Sequence, residues 1–360
     1  MSPAYPLRHC TIISNVQVLV KVVVVAAVVA AALALAGAWV NYYADPGLLY
    51  HRKGKRRQAR NVRARKLVLL KNLVTPFRTV VLGSSRVLNL DLTPAERFPH
   101  PVFNYSVTAA RAEDYLASYR MFVRRQKAAP EIAVVSCEIS AFHPTLPQPW
   151  EGKTAGAYTD ELIAMGALKR GPVWKYAALF SREHLRESLN HLKWIARGKK
   201  KGFEHKFRWE ASGVGAWLDK LDDAARKSLI ARQTRRYPRS GIGLRTFHEP
   251  SRERLGYLEQ LLIEGGEQGT RFIIFIAPEN PSLLAEVLKL GAGHLYVKCA
   301  DAISRIAAEH GAVFRDWHDP ALVGLGEGDF RDIMHLTDEA HGRFAFELEK
   351  LLDGLIPENS

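Results

Sequence analysis

The sequence is short of the residues that announce redox and metal chemistry. It has three cysteines in 360 residues, Cys10, Cys137 and Cys299, far apart and without CxxC or metal-ligand spacing. That removes a disulfide scaffold and a thiolate metal site, and leaves the compartment open. Cys137 lies in an apolar strand-like run and reads as a small core residue. P-loop, GxGxxG and HExxH motifs are missing, so nucleotide and zinc chemistry have no support, and neither a cofactor nor a metal is expected. Acidic residues are absent between Asp45 and Asp91, where Arg52, Lys53, Lys55, Arg56, Arg57, Arg60, Arg63, Arg65, Lys66, Lys71, Arg78 and Arg86 all fall. This segment carries most of the formal net charge of +14. A solvated face, anionic lipid headgroups or an acidic polymer would suit it. Nucleic acid is not expected, because no binding motif accompanies the charge.

Charge of either sign is missing from Val22 to Val40. Such a run suits a hydrocarbon core of roughly 30 Å, which about 20 apolar residues span as a helix. Trp39, Tyr42 and Tyr43 then fall where an aromatic belt would lie. Residues 1–45 are therefore read as an uncleaved membrane anchor. The rival is a signal peptide, whose apolar core usually runs to about 7–15 residues. Only Arg8 and Lys21 precede the span and the basic run follows it. Taken literally, that bias keeps the C-terminal bulk in the cytoplasm, although large domains translocate largely regardless of charge. Residues 46–74 read as a basic juxtamembrane linker or helix.

The remainder, 75–360, has the composition of a globular domain: the whole chain is 47% hydrophobic and 24% charged. Apolar strand-like runs alternate with helical spacing. "RTVVLGSS", "PVFNYSV", "EIAVVSCEIS", "TRFIIFIAP" and "AVFRDWH" read as strands. "AEDYLASYRMFVRRQ", "SRERLGYLEQLLIEGGEQG", "LLAEVLKLG", "CADAISRIAAEHG" and "TDEAHGRFAFELEKLLDGL" read as helices. This predicts an α/β three-layer sandwich around a mostly parallel sheet, with ligands at the C-terminal ends of the strands. Residues of about 145–249 interrupt the alternation and read as a helical insertion or lid.

Gly83-Ser84-Ser85 closes the first strand. A turn is the commoner use of such residues. A serine nucleophile needs a base, and the base needs an orienting acid. Asp332 and His335, in "DFRDIMHLTDEAHGRF", are spaced so that one short loop before a helix presents both. His318 and His341 are alternative bases by residue type but read more simply as exposed or structural histidines. His143 reads the same way, with a place near a strand end that would also let it line the site. Asp316 reads as part of a strand-end turn.

Together the GSS turn and the late DxxH-leucine-threonine run resemble the SGNH (GDSL-like) hydrolase superfamily, over roughly residues 75–144 and 268–355. The resemblance implies Ser85 as nucleophile, His335 as base and Asp332 as its acid, with Ser84 where an aspartate usually stands. "FNYSVTAA" is similar to the second motif, with Asn104 as its asparagine and Ala109 where a glycine supplies an oxyanion-hole N–H; the N–H of Ser85 would be the other donor. The third motif departs: Glu138 of "SCEI" stands where the family has an oxyanion-hole asparagine. Asn104, Arg86 and Glu138 are possible lining residues.

Within the superfamily the anchor and the GSS variant look most like membrane-anchored cell-envelope members, the alginate O-acetylation and teichoic acid D-alanylation proteins. That likeness implies an extracytoplasmic (periplasmic) domain on the inner membrane, an acyl donor, an envelope polysaccharide acceptor and a membrane-bound acyltransferase as possible partner. Two functions stay open: an O-acyltransferase or esterase, and a non-catalytic binding or assembly protein that keeps the fold.

Overall fold

The computed structural model describes residues 9–46, 49–50, 62–71, 76–146, 156–168, 171, 173–197, 207–217, 221–240 and 246–355. Half of the basic run, Arg52 to Arg60, lies outside them. The chain opens with α1 (His9–Ala44), which from Val18 onward is apolar but for Lys21 and Asn41. This one N-terminal helix is long and apolar enough to cross a membrane, and a signal sequence would pass the same test. Then α2 (Val62–Lys71) leads into β1 (Thr79–Leu82), β2 (Val102–Asn104), α3 (Ala112–Gln126) and β3 (Ile132–Cys137). The insertion contains α4 (Gly156–Ala164), α5 (Trp174–Leu179), α6 (Arg182–Ala196), a hairpin of β4 (Phe207–Trp209) and β5 (Gly215–Trp217), and α7 (Asp223–Ser240). The α/β alternation resumes with α8 (Arg252–Glu267), β6 (Arg271–Ile276), α9 (Pro281–Lys289), α10 (His294–Glu309), β7 (Val313–Asp316) and α11 (Asp338–Lys350).

The five strands outside the insertion form one all-parallel sheet in the order β2-β1-β3-β6-β7. Their residues explain this: β1 and β3 are buried along their whole length, as parallel strands covered on both faces must be. One face packs on α3, α8 and α10 through Leu116, Phe122, Leu258, Leu261 and Ile303. The other packs on α11 and the segment after Ser85, through Leu90, Leu92, Phe98, Phe344 and Leu348. Burying each such side chain contributes roughly 1.5–3 kcal/mol. Chain order reverses between β1 and β3, since β2 lies on one side of β1 and β3 on the other. That is the crevice at which open α/β sheets take ligands.

The insertion is not wholly helical as expected, because β4 and β5 pair antiparallel. The signal was "WEASGVGAW", where Gly213 turns the chain at φ 83. The hairpin braces the sheet edge: Ser212 O accepts from Asn104 N at 2.8 Å, and Gly215 N donates to Leu88 O at 2.9 Å. Part of the described basic run is buried, although Arg78 stays exposed beside Glu131. On α2, Arg63 is buried and paired with Asp114 at 3.0 Å, and Lys66 is buried with its ammonium on Asn104 and on Gly213 O.

Candidate active site

Ser85 begins a short 3-10 turn, Ser85–Val87, directly beyond β1. Ser84 caps that turn, its Oγ accepting from Arg86 N at 3.2 Å, and is buried. Gly83 is required by space as well as by its φ of 156. A Cβ there would lie 2.7 Å from Val87 Cγ2 and 2.8 Å from Ser136 Cβ on the neighbouring strand β3. The chain can turn the serine out over the sheet only because Gly83 has no side chain.

Asp332 and His335 share a tight loop that follows β7 and ends at α11. Phe330 bridges Leu336, Arg331 N donates to His335 O at 2.8 Å, and Thr337 then caps α11 by accepting from Ala340 N at 3.1 Å. Gln233 of α7 reaches in from the insertion to accept from Ile333 N at 3.3 Å. The loop delivers His335 Nε2 to 3.0 Å from Ser85 Oγ, and His335 Nδ1 to 2.9 Å from both carboxylate oxygens of Asp332. Asp332 Oδ1 also accepts the N–H groups of Met334 at 2.8 Å and His335 at 2.9 Å. Burial alone would raise the Asp332 carboxyl. The His335 ring and those N–H groups outweigh it and hold the carboxyl below its ordinary value. Side-chain exposures of 16% for His335 and 14% for Asp332 keep the pair shielded but reachable. Serine, base and acid therefore form one hydrogen-bonded line, the geometry that lets an imidazole take a hydroxyl proton.

The loop after β2 lies beside this line, fixed by Tyr105 N to Val81 O at 2.7 Å and Val107 N to Gly83 O at 2.9 Å. It carries Ala109, exposed and at φ 50, a conformation that glycine takes more readily. Neither Ser85 N–H nor Ala109 N–H donates to another described residue. Asn104 does not line the site. It is fully buried, its Nδ2 donating to Val87 O at 2.6 Å and Leu90 O at 2.9 Å, so it braces the segment that carries Ser85.

Arg86 and Glu138 lie in a buried ionic cluster beside the triad. Arg86 Nη2 donates to both oxygens of Glu279 at 2.8 Å, and its Nε lies 3.6 Å from Glu138 Oε2. Burial works against the Arg86 charge, but Glu279 and Glu138 outweigh it and hold the guanidinium above its ordinary value. Glu138 closes β3 and is 7% exposed, with Oε1 lacking a hydrogen-bond partner among the described residues. Burial pushes its carboxyl up; Arg86 pulls it down, Glu279 pushes up again, and the balance stays above the ordinary value. Glu279 was missed in the sequence, though "FIIFIAPEN" places it just beyond a buried strand, where site residues of this architecture gather.

The other histidines have structural partners. His341 is buried and its Nε2 donates to Arg86 O at 2.8 Å; burial lowers the ring to about 4. His143, also buried, accepts from Thr145 N and Leu146 N at 3.1 Å where the insertion leaves the domain. His318 binds Asp316 at 2.8 Å, which raises its ring above the usual value, and stacks on Tyr296. Glu259, Glu309 and His310 bring ligand-type atoms together near the start of β7. That is the opposite end of the strands from Ser85, so the group carries no chemistry for the triad. No protein-family model matches the chain, and no curated protein matches it either.

Proposed function

We propose that this chain is an SGNH-like serine acyl-ester enzyme, an O-acyltransferase or esterase, held to the cell inner membrane by α1 with its α/β domain on the extracytoplasmic side. The observation that carries the reading is the line from Ser85 Oγ to His335 Nε2 at 3.0 Å and on to Asp332 at 2.9 Å. His335 takes the Ser85 proton as Oγ attacks the acyl carbonyl. The N–H groups of Ser85 and Ala109 receive the oxyanion, and His335 protonates the departing oxygen or sulfur. A second hydroxyl, deprotonated by the same imidazole, then takes the acyl group from Ser85. A polysaccharide hydroxyl gives O-acyl transfer and water gives hydrolysis. Asp332 holds the Nδ1–H tautomer and offsets the imidazolium charge throughout. The envelope polysaccharide acceptor and a membrane-bound acyltransferase partner come from the family resemblance alone.

A second reading is favoured by Glu138: a carboxylate beside the reacting centre would oppose an oxyanion, as suits a non-catalytic partner that keeps the fold. A serine-directed fluorophosphonate separates the two. The enzyme reading expects labelling at Ser85, none in Ser85→Ala, and a loss on the order of a thousandfold or more in His335→Ala, because the triad acts as a unit. A folded wild-type chain that never labels would leave the non-catalytic reading.

A further inference from the structure

From Val18 to Ala36 every residue of α1 is exposed. At about 1.5 Å per residue that is about 28 Å of helix, close to the hydrocarbon thickness of a bilayer. At Gly37 the helix meets the insertion. A Cβ there would lie 3.6 Å from Leu185 of α6, Ala38, Asn41 and Ala44 are buried, and Asn41 Nδ2 donates to Leu179 O, at the end of α5, at 2.7 Å. Tyr50 Oη adds a second tie, to Lys175 O at 2.8 Å. The last turns of α1 are thus clamped by α5 and α6 on one side. On the other, Trp39, Tyr42 and Tyr43 stay 64%, 49% and 54% exposed.

The Asn41 bond sets the end of α5 level with those three aromatic rings. At this level Val173, Tyr176 and Phe180, on α5 and its flanks, are 62%, 69% and 60% exposed. Their spacing puts them on one helical face. Lys175 turns away from that stripe, onto Asp160 at 2.7 Å. An uncharged stripe of this size has no reason to face water, and a ring with a polar tip, such as Tyr176, suits the boundary between headgroups and acyl chains.

We propose that α5 is an interfacial helix, with Val173, Tyr176 and Phe180 seated in the headgroup region of the bilayer beside the point where α1 leaves it. This rests on the reading of α1 as a membrane span. The occupant is lipid because the stripe shares its level with the aromatic residues of α1 and continues the same surface. With two contacts, α1 and α5, the insertion sets the tilt of the catalytic domain on the membrane.

The test uses the full chain in phosphatidylcholine–phosphatidylglycerol vesicles, with Cys10→Ser and an environment-sensitive fluorophore placed singly through Tyr176→Cys, Phe180→Cys, Leu33→Cys or Leu322→Cys. All four positions are exposed, so labelling leaves the core intact. Lipids spin-labelled near the headgroup should quench the fluorophore at 176 and 180. Lipids labelled deep in the chain should quench it at 33, and neither should quench it at 322. Quenching at 33 without quenching at 176 and 180 overturns the proposal and leaves the anchor standing. A blue shift at 176 and 180 without lipid quenching assigns the stripe to a protein partner and also overturns it. No quenching at 33 removes the anchor reading, and the proposal with it.

Discussion

Replacing Gly83 with alanine tests how the fold presents its serine. The added Cβ would sit 2.7 Å from Val87 Cγ2, 2.8 Å from Ser136 Cβ and 3.3 Å from Ser136 O. Carbon atoms pack at about 3.5–4.0 Å, so each of the two closest contacts needs roughly 0.7–0.8 Å of relief. Ser136 Cβ is one bond from the β3 backbone and cannot rotate away, so Gly83 itself must move. Ser85 is two residues along and sits 3.0 Å from His335 Nε2. A shift of this size stretches that hydrogen bond beyond its useful range. Misplacement of about 1 Å costs on the order of a hundredfold in rate, so fluorophosphonate labelling of Gly83→Ala should slow by roughly 10–100-fold. Overpacking should also remove about 1–3 kcal/mol of stability, seen as earlier denaturant unfolding. The pair Gly83→Ala with Ser136→Gly removes the strand contact and should recover part of the labelling rate. Wild-type labelling and stability in Gly83→Ala would refute the claim that this close approach positions Ser85.

Three further outcomes follow from the surroundings. Arg86→Met strands Glu279 and Glu138 in a buried site, and should cost about 3–5 kcal/mol in denaturant unfolding. Ala109→Gly relieves a left-handed backbone that costs an L-residue about 1–2 kcal/mol, less about 0.5–1 for the looser unfolded chain. The variant should be as stable as the parent or slightly more so, with labelling retained. His341 has a folded value of about 4 against an ordinary 6.5. Between these the unfolded chain binds the proton that the folded one does not, so the contribution of neutral His341 is full above about pH 6.5 and falls as pH drops toward 4. The loss approaches about 3 kcal/mol at the acid end. Unfolding of His341→Gln followed against pH should lack that share of the acid limb.

The sheet was legible because β1, β3 and β6 are short, largely apolar runs rich in β-branched residues and bounded by turn signals, as strands covered on both faces are. Ser85, Asp332 and His335 were legible because each sits at a sharp local boundary, where a strand meets a glycine or a loop meets a capped helix. Asn104 was not, since nothing in "FNYS" says that its amide holds three backbone carbonyls of the turn behind the serine. The burial of Arg63 and Lys66 was equally hidden. A run of cations looks solvated until the partners appear, and Asp114 lies 51 residues from Arg63. The β4–β5 hairpin was masked by strands of three residues, too short to show alternation.

The hydrogen bond between Ser85 and His335 joins positions 250 residues apart. Ser85 leaves the ribosome well before His335, and between them the chain supplies β3, β6 and β7, on which the late loop rests. Until then Ser85 is an ordinary alcohol. On the proposed function, a chain cut before the Asp332–His335 loop would carry the serine without its base, so labelling at Ser85 would report that β7 and α11 have docked. On that reading, docking of the late loop is the event that arms the site.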